Sequence, residues 1–198
     1  MAKRLKADER RQEIVRAARK LFAQNGYEAT RVEEIAEAAG CTTGPVYHFF
    51  GTKREIYAAA VRAGIRDAAA GLAKVREQAG DGRSALDLLI HSCDHLLGRL
   101  SDKRVASFTL EAPRVLGIDH HRETFNKALL PFIESDLRTA MRDGEIESEP
   151  TAPLAVIIGG AIVYGANHIA LVTRGKSKQE LERFREALTR LLERLRSA

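Results

Sequence analysis

The sequence holds only two cysteines and five prolines among its 198 residues. Cys41 and Cys93 lie far apart and belong to no metal-binding or redox motif. That excludes a disulfide framework and suits small core or surface residues of a reduced, cytoplasmic protein. The scarcity of proline, beside abundant Ala, Leu, Glu and Arg, leaves long stretches free to be helical. The sequence also lacks a phosphate-cradling glycine loop, an H-E-x-x-H pair and a nucleophile elbow. No catalytic residue, cofactor or bound metal is therefore expected, and an all-helical enzyme using scattered carboxylates is the rival class. Met1 to Lys20 contains no apolar run of the kind a signal peptide needs. Internal repeats and low-complexity linkers are missing too.

One apolar stretch, Leu154 to Val172, carries no charged residue and is long enough to span a bilayer. Gly159, Gly160, Gly165, Asn167 and His168 interrupt it, and it stands alone in a charged chain. A buried interface helix is the better reading, with no membrane partner.

The composition, 44% hydrophobic and 30% charged, fits a soluble chain of one large or two small domains. The net charge of +5 is local. Residues 1–20 hold eight basic side chains against three acidic ones, an excess equal to that of the whole chain. A basic end suits a polyanion such as nucleic acid, and a solubilising tail is the plainer alternative.

The punctuation divides the chain into about nine helices, an all-α fold. Ile14, Val15, Ala18, Leu21 and Phe22 recur at helical spacing, and Asn25-Gly26 stops that helix. Thr30 and Glu33 form a capping box for a short second helix, ended by Gly40. Thr42 caps a third helix with Pro45 as its third residue, where a missing N–H costs little. Gly51 ends it, and a second box, Thr52 with Glu55, opens a long helix from Lys53 to about Ala79. Two short helices separated only by Gly40-Cys41 make a sharp turn, the helix-turn-helix arrangement. Ser84 caps a further helix, and others span 102–116, 119–143 and 153–174, with breaks at Gly117, Gly144 and Gly175. Ser177 and Glu180 cap the last.

The last helix places Leu181, Phe184, Leu188, Leu191 and Leu195 at heptad steps. Opposite a small-residue face with Ala161 and Gly165, that stripe suggests a four-helix contact in a homodimer. Packing into the chain's own core is the competing reading. His91 and His95 have a spacing that can hold a metal but flank Cys93 on an apolar face, so no metal is expected there.

The segment from Thr30 to Lys53, TRVEEIAEAAGCTTGPVYHFFGTK, resembles the signature of tetracycline-repressor (TetR) type regulators over about a dozen positions in register. The close match covers residues 8–57. EAPRVLG, from Glu111 to Gly117, is similar to a motif of many members. The resemblance implies a DNA-binding helix-turn-helix domain over 1–54 and an effector-binding and dimerisation domain over 55–198. It implies a regulator, most often a repressor, released from double-stranded operator DNA by a small molecule; an activator or a ligand-independent binder would share the fold. Carried over by residue, Thr42, Thr43 and Gly44 begin the recognition helix, with Pro45 beside them. Tyr47 and His48 lie on its exposed side, and Thr30, Arg31 and Lys53 are placed for phosphate or base-edge contact. Lys3, Arg4 and Lys6 would follow the adjacent backbone or minor groove as a mobile arm. For the effector, Phe108, Phe125, Phe132, Tyr164, Asn167 and His168 are candidates, each with core packing or interface as its alternative. The sequence names neither operator nor ligand.

Overall fold

The computed structural model describes residues 2–79, 82–147, 150–172 and 177–196. Side chains are described from Lys6 onward, apart from residues 79, 118, 120–122, 125, 171–172 and 177. Lys3, Arg4, the Phe125 side chain, the break at Gly175 and the Ser177 hydroxyl lie outside them. Among the described residues there are nine helices: α1 (Ala2–Ala29), α2 (Val32–Ala38), α3 (Thr43–Phe50), α4 (Lys53–Ala79), α5 (Ala85–Leu100), α6 (Lys103–Leu116), α7 (Ile118–Arg142), α8 (Thr151–Val172) and α9 (Ser177–Glu193). The chain forms two compact units. One is Met1–Ile65 with Ser107–Arg122, and the other is Arg66–Ala106 with Glu123–Ala198.

In the first unit, Ile14, Val15, Ala18 and Phe22 form the buried side of α1. Gly26 (φ 80°, ψ 172°) kinks this helix rather than ending it, and helical geometry resumes to Ala29. The kink persists because the backbone groups it frees find partners. The Thr30 hydroxyl donates to the Gly26 carbonyl at 2.8 Å, and the Tyr27 N–H donates to the Glu111 carboxylate at 2.7 Å.

The box expected at Thr30 and Glu33 is corrected by one residue. Arg31 holds the N-cap position of α2, and its N–H donates to Glu34 at 3.0 Å. Thr30 is spent on the kink. The box at Thr52 and Glu55 forms as spaced: the Thr52 N–H donates to Glu55 at 3.0 Å, and the Glu55 N–H to the Thr52 hydroxyl at 3.2 Å. Gly40 and Gly51, at φ 64° and 71°, end α2 and α3 in a conformation other residues rarely adopt.

Ile35, Val46, Ile56 and Tyr57 close this core, and Phe108, Ala112 and Leu116 of α6 complete it. Tyr57 meets Phe22 edge-on at 5.0 Å and Phe108 at 5.1 Å. Its hydroxyl donates to the Phe108 carbonyl at 2.9 Å, so no buried polar atom is left over there.

In the second unit, Leu86, Leu89, Leu96, Leu97 and Leu100 make α5 a core helix against α8 and α9. Its free N-terminal amides are answered twice over. The Asp87 N–H donates to Ser84 at 3.1 Å, and the Ala85 and Leu86 N–H groups each donate to Glu145 at 2.9 Å. Burial among these helices pushes the Cys93 thiol up to about 12.

Gly165 of α8 lies against the Phe184 ring of α9, so close that a Cβ there would overlap the ring. Leu188 and Leu192 are buried, and Leu191 remains 58% exposed. Phe184 and Leu188 of the expected heptad stripe, and Gly165 of the small-residue face opposite, are therefore occupied within the chain.

Candidate nucleic-acid interface

α3 has two sides of different character. Val46 and Phe50 are buried, and Phe49 is half-buried with its ring 5.5 Å from that of His48. Thr42, Gly44, Tyr47 and His48 are exposed, while Thr43 and Pro45 are half-exposed. Thr42 occupies the N-cap position with extended backbone, but its hydroxyl makes no capping hydrogen bond. The first turn carries no acidic residue of its own. Such an end attracts anionic oxygen through free N–H groups and the helix dipole. The inner residues fix which way the outer ones point: turning α3 over would expose Val46 and Phe50 and bury Tyr47 and His48.

The flanking candidates divide. Arg31 is exposed at the start of α2 and pairs with Glu34 at 3.3 Å. The N–H donated by Arg31 is the chief reason the Glu34 carboxyl is held below its usual range. Thr30, by contrast, is fully buried with its hydroxyl on the Gly26 carbonyl, which leaves no side-chain surface for a phosphate. Lys53, at the start of α4, donates to the Glu28 carbonyl at 3.1 Å and lies 4.6 Å from the centre of the Tyr27 ring. That arrangement fixes the ammonium beside the start of α4 and leaves it two further donors.

Reading the sequence by net charge missed how the basic residues of α1 are used. Arg10 donates to the Ala39 carbonyl at 3.1 Å, and Arg11 lies over the Phe50 ring at 5.0 Å. These two hold α1 to the helix-turn-helix, while Lys6 is exposed. The other omission is a set of contacts around EAPRVLG. Glu111 accepts from the Tyr27 N–H, and Arg114 pairs with Glu111 at 3.0 Å and Glu28 at 3.4 Å. Arg54 donates to the Val115 and Leu116 carbonyls at 3.0 and 2.9 Å, satisfying the last carbonyls of α6. The sequence shows the motif but not its partners, which lie more than fifty residues away.

The expected effector residues are not brought together. Phe108 belongs to the first unit's core, against Tyr57. In the second unit, Tyr164 is 76% exposed and stacks on His168 at 6.4 Å, so both lie on the outer side of α8. Asn167 is buried, and Phe132 is half-buried under Arg76. His91 is exposed, and no group of three or more metal-ligating side chains occurs among the described residues. The segment Thr151–Ala170 of α8 is long and apolar enough to cross a membrane, yet 44% of that stretch is buried, against α5 and α9.

The family model for bacterial regulatory proteins of the tetR family matches residues 14–60, and that for the tetracyclin repressor-like C-terminal domain matches residues 86–195. The chain belongs to the tetR family of bacterial regulatory proteins. The HTH-type transcriptional repressor AcnR of Corynebacterium efficiens is 42% identical over 52 residues, 26% of this chain and 28% of that one. The HTH-type transcriptional activator FasR of Mycolicibacterium smegmatis is 32% identical over 83 residues, 42% of this chain and 38% of that one. The matched stretch thus spans less than half the length of these relatives. A TetR-family regulator from Pectobacterium atrosepticum shares the fold with a TM-score of 0.80 at 24% identity, over 98% of each chain.

Proposed function

We propose that this protein is a homodimeric DNA-binding transcriptional regulator, a repressor that a small molecule releases from its operator. In this reading residues 1–54 bind DNA, residues 55–198 bind the effector and form the dimer, and the protein works in the cytoplasm without catalysing a reaction. The observation that carries it is the two-sidedness of α3: an acid-free N-terminus and an outward Tyr47–His48 face on a helix anchored by Val46 and Phe50. Thr42, Thr43, Gly44 and Pro45 bring backbone close to the duplex. Tyr47, Lys53 and Arg31 bond phosphate, and His48 reaches a phosphate or a base edge. Thr30 serves by holding the kink before α2.

Dimerisation runs along the outer sides of α8 and α9. Val156, Ile157, Tyr164 and Leu191 are all more than half exposed there, with Ala161, Leu181 and Leu195 beside them. An apolar stripe of this kind suits a two-fold contact. Gly165, Phe184 and Leu188 set the spacing of the two helices beneath it. Two such subunits would lay their α3 helices into related major grooves.

The effector must favour the conformation that does not bind DNA. α6 is the element suited to report it, because Glu111, Arg114 and the carbonyls held by Arg54 tie its final turns to α1 and α4. Phe132 and Asn167 are the effector candidates that lie inside the second unit. Activation instead of repression is the second reading, favoured by the likeness to an activator.

The test is selection of bound DNA from a random pool by the purified protein, followed by titration at several salt concentrations. Tyr47→Ala and Lys53→Ala should each weaken binding by roughly 1–3 kcal/mol, and the Lys53 variant should also show a shallower salt dependence. Circular dichroism would check that the Lys53 variant is folded. A wild-type protein that enriches no sequence, or variants that bind like wild type at every salt, would overturn the reading. Placing the selected site before a reporter gene separates repression from activation.

A further inference from the structure

We propose that the second unit grips its effector through the half-buried Arg76 and the buried Asp136 paired with it, and that this effector is an uncharged, hydroxyl-bearing apolar molecule. The inference rests on the effector-binding reading above and gives it a chemistry.

Arg76 stands on α4 and Asp136 on α7. One Arg76 nitrogen, Nη2, donates to Asp136 Oδ1 and also to the Phe132 carbonyl at 3.0 Å. The guanidinium carbon lies 5.2 Å from the centre of the Phe132 ring. The pair is then left half-finished. Arg76 Nε and Asp136 Oδ2 are both buried and have no hydrogen-bond partner among the described residues. Asp136 is 6% exposed, so bulk water does not serve its second oxygen. A buried polar atom without a partner is costly and calls for one.

The surroundings exclude charged ligands. Leu72 lies one turn before Arg76, and Ile133 and Ala140 one turn on either side of Asp136, all buried. The pair is already neutral within itself. An anionic group brought here would face the Asp136 carboxylate, and a cationic one the Arg76 guanidinium, in an apolar setting that magnifies both repulsions. What remains to be satisfied is one acceptor, Asp136 Oδ2, and one donor, the Arg76 Nε–H. A hydroxyl group supplies the matching donor and acceptor from a single oxygen. Ser92 Oγ on α5 and Asn167 Oδ1 on α8 are likewise buried and unpartnered.

The experiment compares four probes of one shape on the purified full-length protein: naphthalene, β-naphthol, β-naphthoate and β-naphthylmethylammonium, with phenol and resorcinol as smaller hydroxyl-bearing probes. Binding is read by calorimetry and by the shift in Tm. At least one hydroxyl compound should bind, and β-naphthol should bind roughly tenfold or more tightly than naphthalene, with both charged probes weaker still. Asp136→Asn and Arg76→Met should each erase most of that preference. The double variant Arg76→Met with Asp136→Leu, which leaves no buried charge unpaired, keeps the comparison available if a single variant fails to fold. A charged probe that binds as well as the naphthol, no binding by any hydroxyl compound, or a hydroxyl preference that survives in the double variant would overturn the proposal. Gel shifts with the selected DNA separate the two levels. A hydroxyl compound that binds through Arg76 and Asp136 without releasing DNA removes the regulatory reading alone. Release of DNA by compounds indifferent to both residues removes this inference alone.

Discussion

The two units of this protein treat buried polarity in opposite ways. In the first, Thr30 is the buried polar side chain, and its hydroxyl is used on the Gly26 carbonyl. The buried Tyr57 hydroxyl is likewise used, on the Phe108 carbonyl. In the second, Ser92, Asp136 and Asn167 are buried, and each has a polar atom without a partner. The unpartnered buried atoms of Arg76 and His95 also fall in this second unit. A core whose polar groups are all satisfied has one well-defined arrangement, which a surface that must match a groove requires. A core with polar valences to spare is less stable by itself and is suited to change when something fills them.

The comparison is broken most severely by damaging the finished core. Phe22→Ala removes a ring that is 1% exposed and packed edge-on against Tyr57. It should cost about 3–5 kcal/mol, read by urea unfolding, and abolish operator binding at 37 °C. A smaller loss would mean that the first unit repacks more readily than its ring contacts imply. The second unit offers a sharper contrast. Arg76→Met strands the Asp136 carboxylate, and a loss of roughly 2–3 kcal/mol is expected, because the arginine is partly exposed. Adding Asp136→Leu should restore most or all of that stability, since the pair is not fully satisfied to begin with. Should the double variant be no more stable than the single one, the pair contributes more than its orphaned atoms suggest.

Much of the first unit was legible in the sequence because short-range chemistry dictates it. Gly40, Gly51, Thr52 with Glu55, and the inward spacing of Val46 and Phe50 all act within one or two turns. Even the errors there were small. The box at Thr30 slipped by one residue because a tertiary demand, the kink at Gly26, claimed the Thr30 hydroxyl first. The second unit was legible only as helices. Its element bounds follow from caps and glycines, but the meeting of Arg76 with Asp136 joins residues sixty positions apart and has no local signal. The same holds for Glu111 with Tyr27. The stripe on α9 shows the limit of periodicity: heptad spacing marks Leu188 and Leu191 alike, yet one is buried within the chain and the other exposed. Spacing says which residues share a side of a helix, not which neighbour covers it.

A titration sharpens the contrast further. Burial holds the Cys93 thiol neutral up to about 12, against an ordinary value near 9. An acid whose value is raised by folding loses its proton first in the unfolded chain. Folding stability therefore falls as pH climbs from about 9 toward 12, and the effect is absent below 9. Between pH 8 and pH 10 the loss from this one group should be roughly 1–2 kcal/mol. Urea unfolding of wild type and Cys93→Ala at the two pH values isolates it, because the other titrating groups cancel in the comparison. An equal pH dependence in both proteins would show that the thiol is not held as this core implies.

The smallest expected effect lies at the junction that sets the recognition helix. Thr52→Ala removes the hydroxyl that accepts the Glu55 N–H while leaving Glu55 free to hold the Thr52 N–H. Half the box survives, so a loss near the lower end for capping residues, about 0.5–1 kcal/mol, is expected. Its consequence for function should exceed its consequence for stability. The turn at Gly51 and Thr52 joins the end of α3 to the start of α4, where Lys53 is pinned by the Glu28 carbonyl and the Tyr27 ring. Loosening that turn shifts the lysine relative to Tyr47, and in the proposed reading both meet one phosphate backbone at once. Operator affinity should therefore drop by more than the thermal stability does. Equal losses in the two measurements would mean that the turn holds the helix without aiming it.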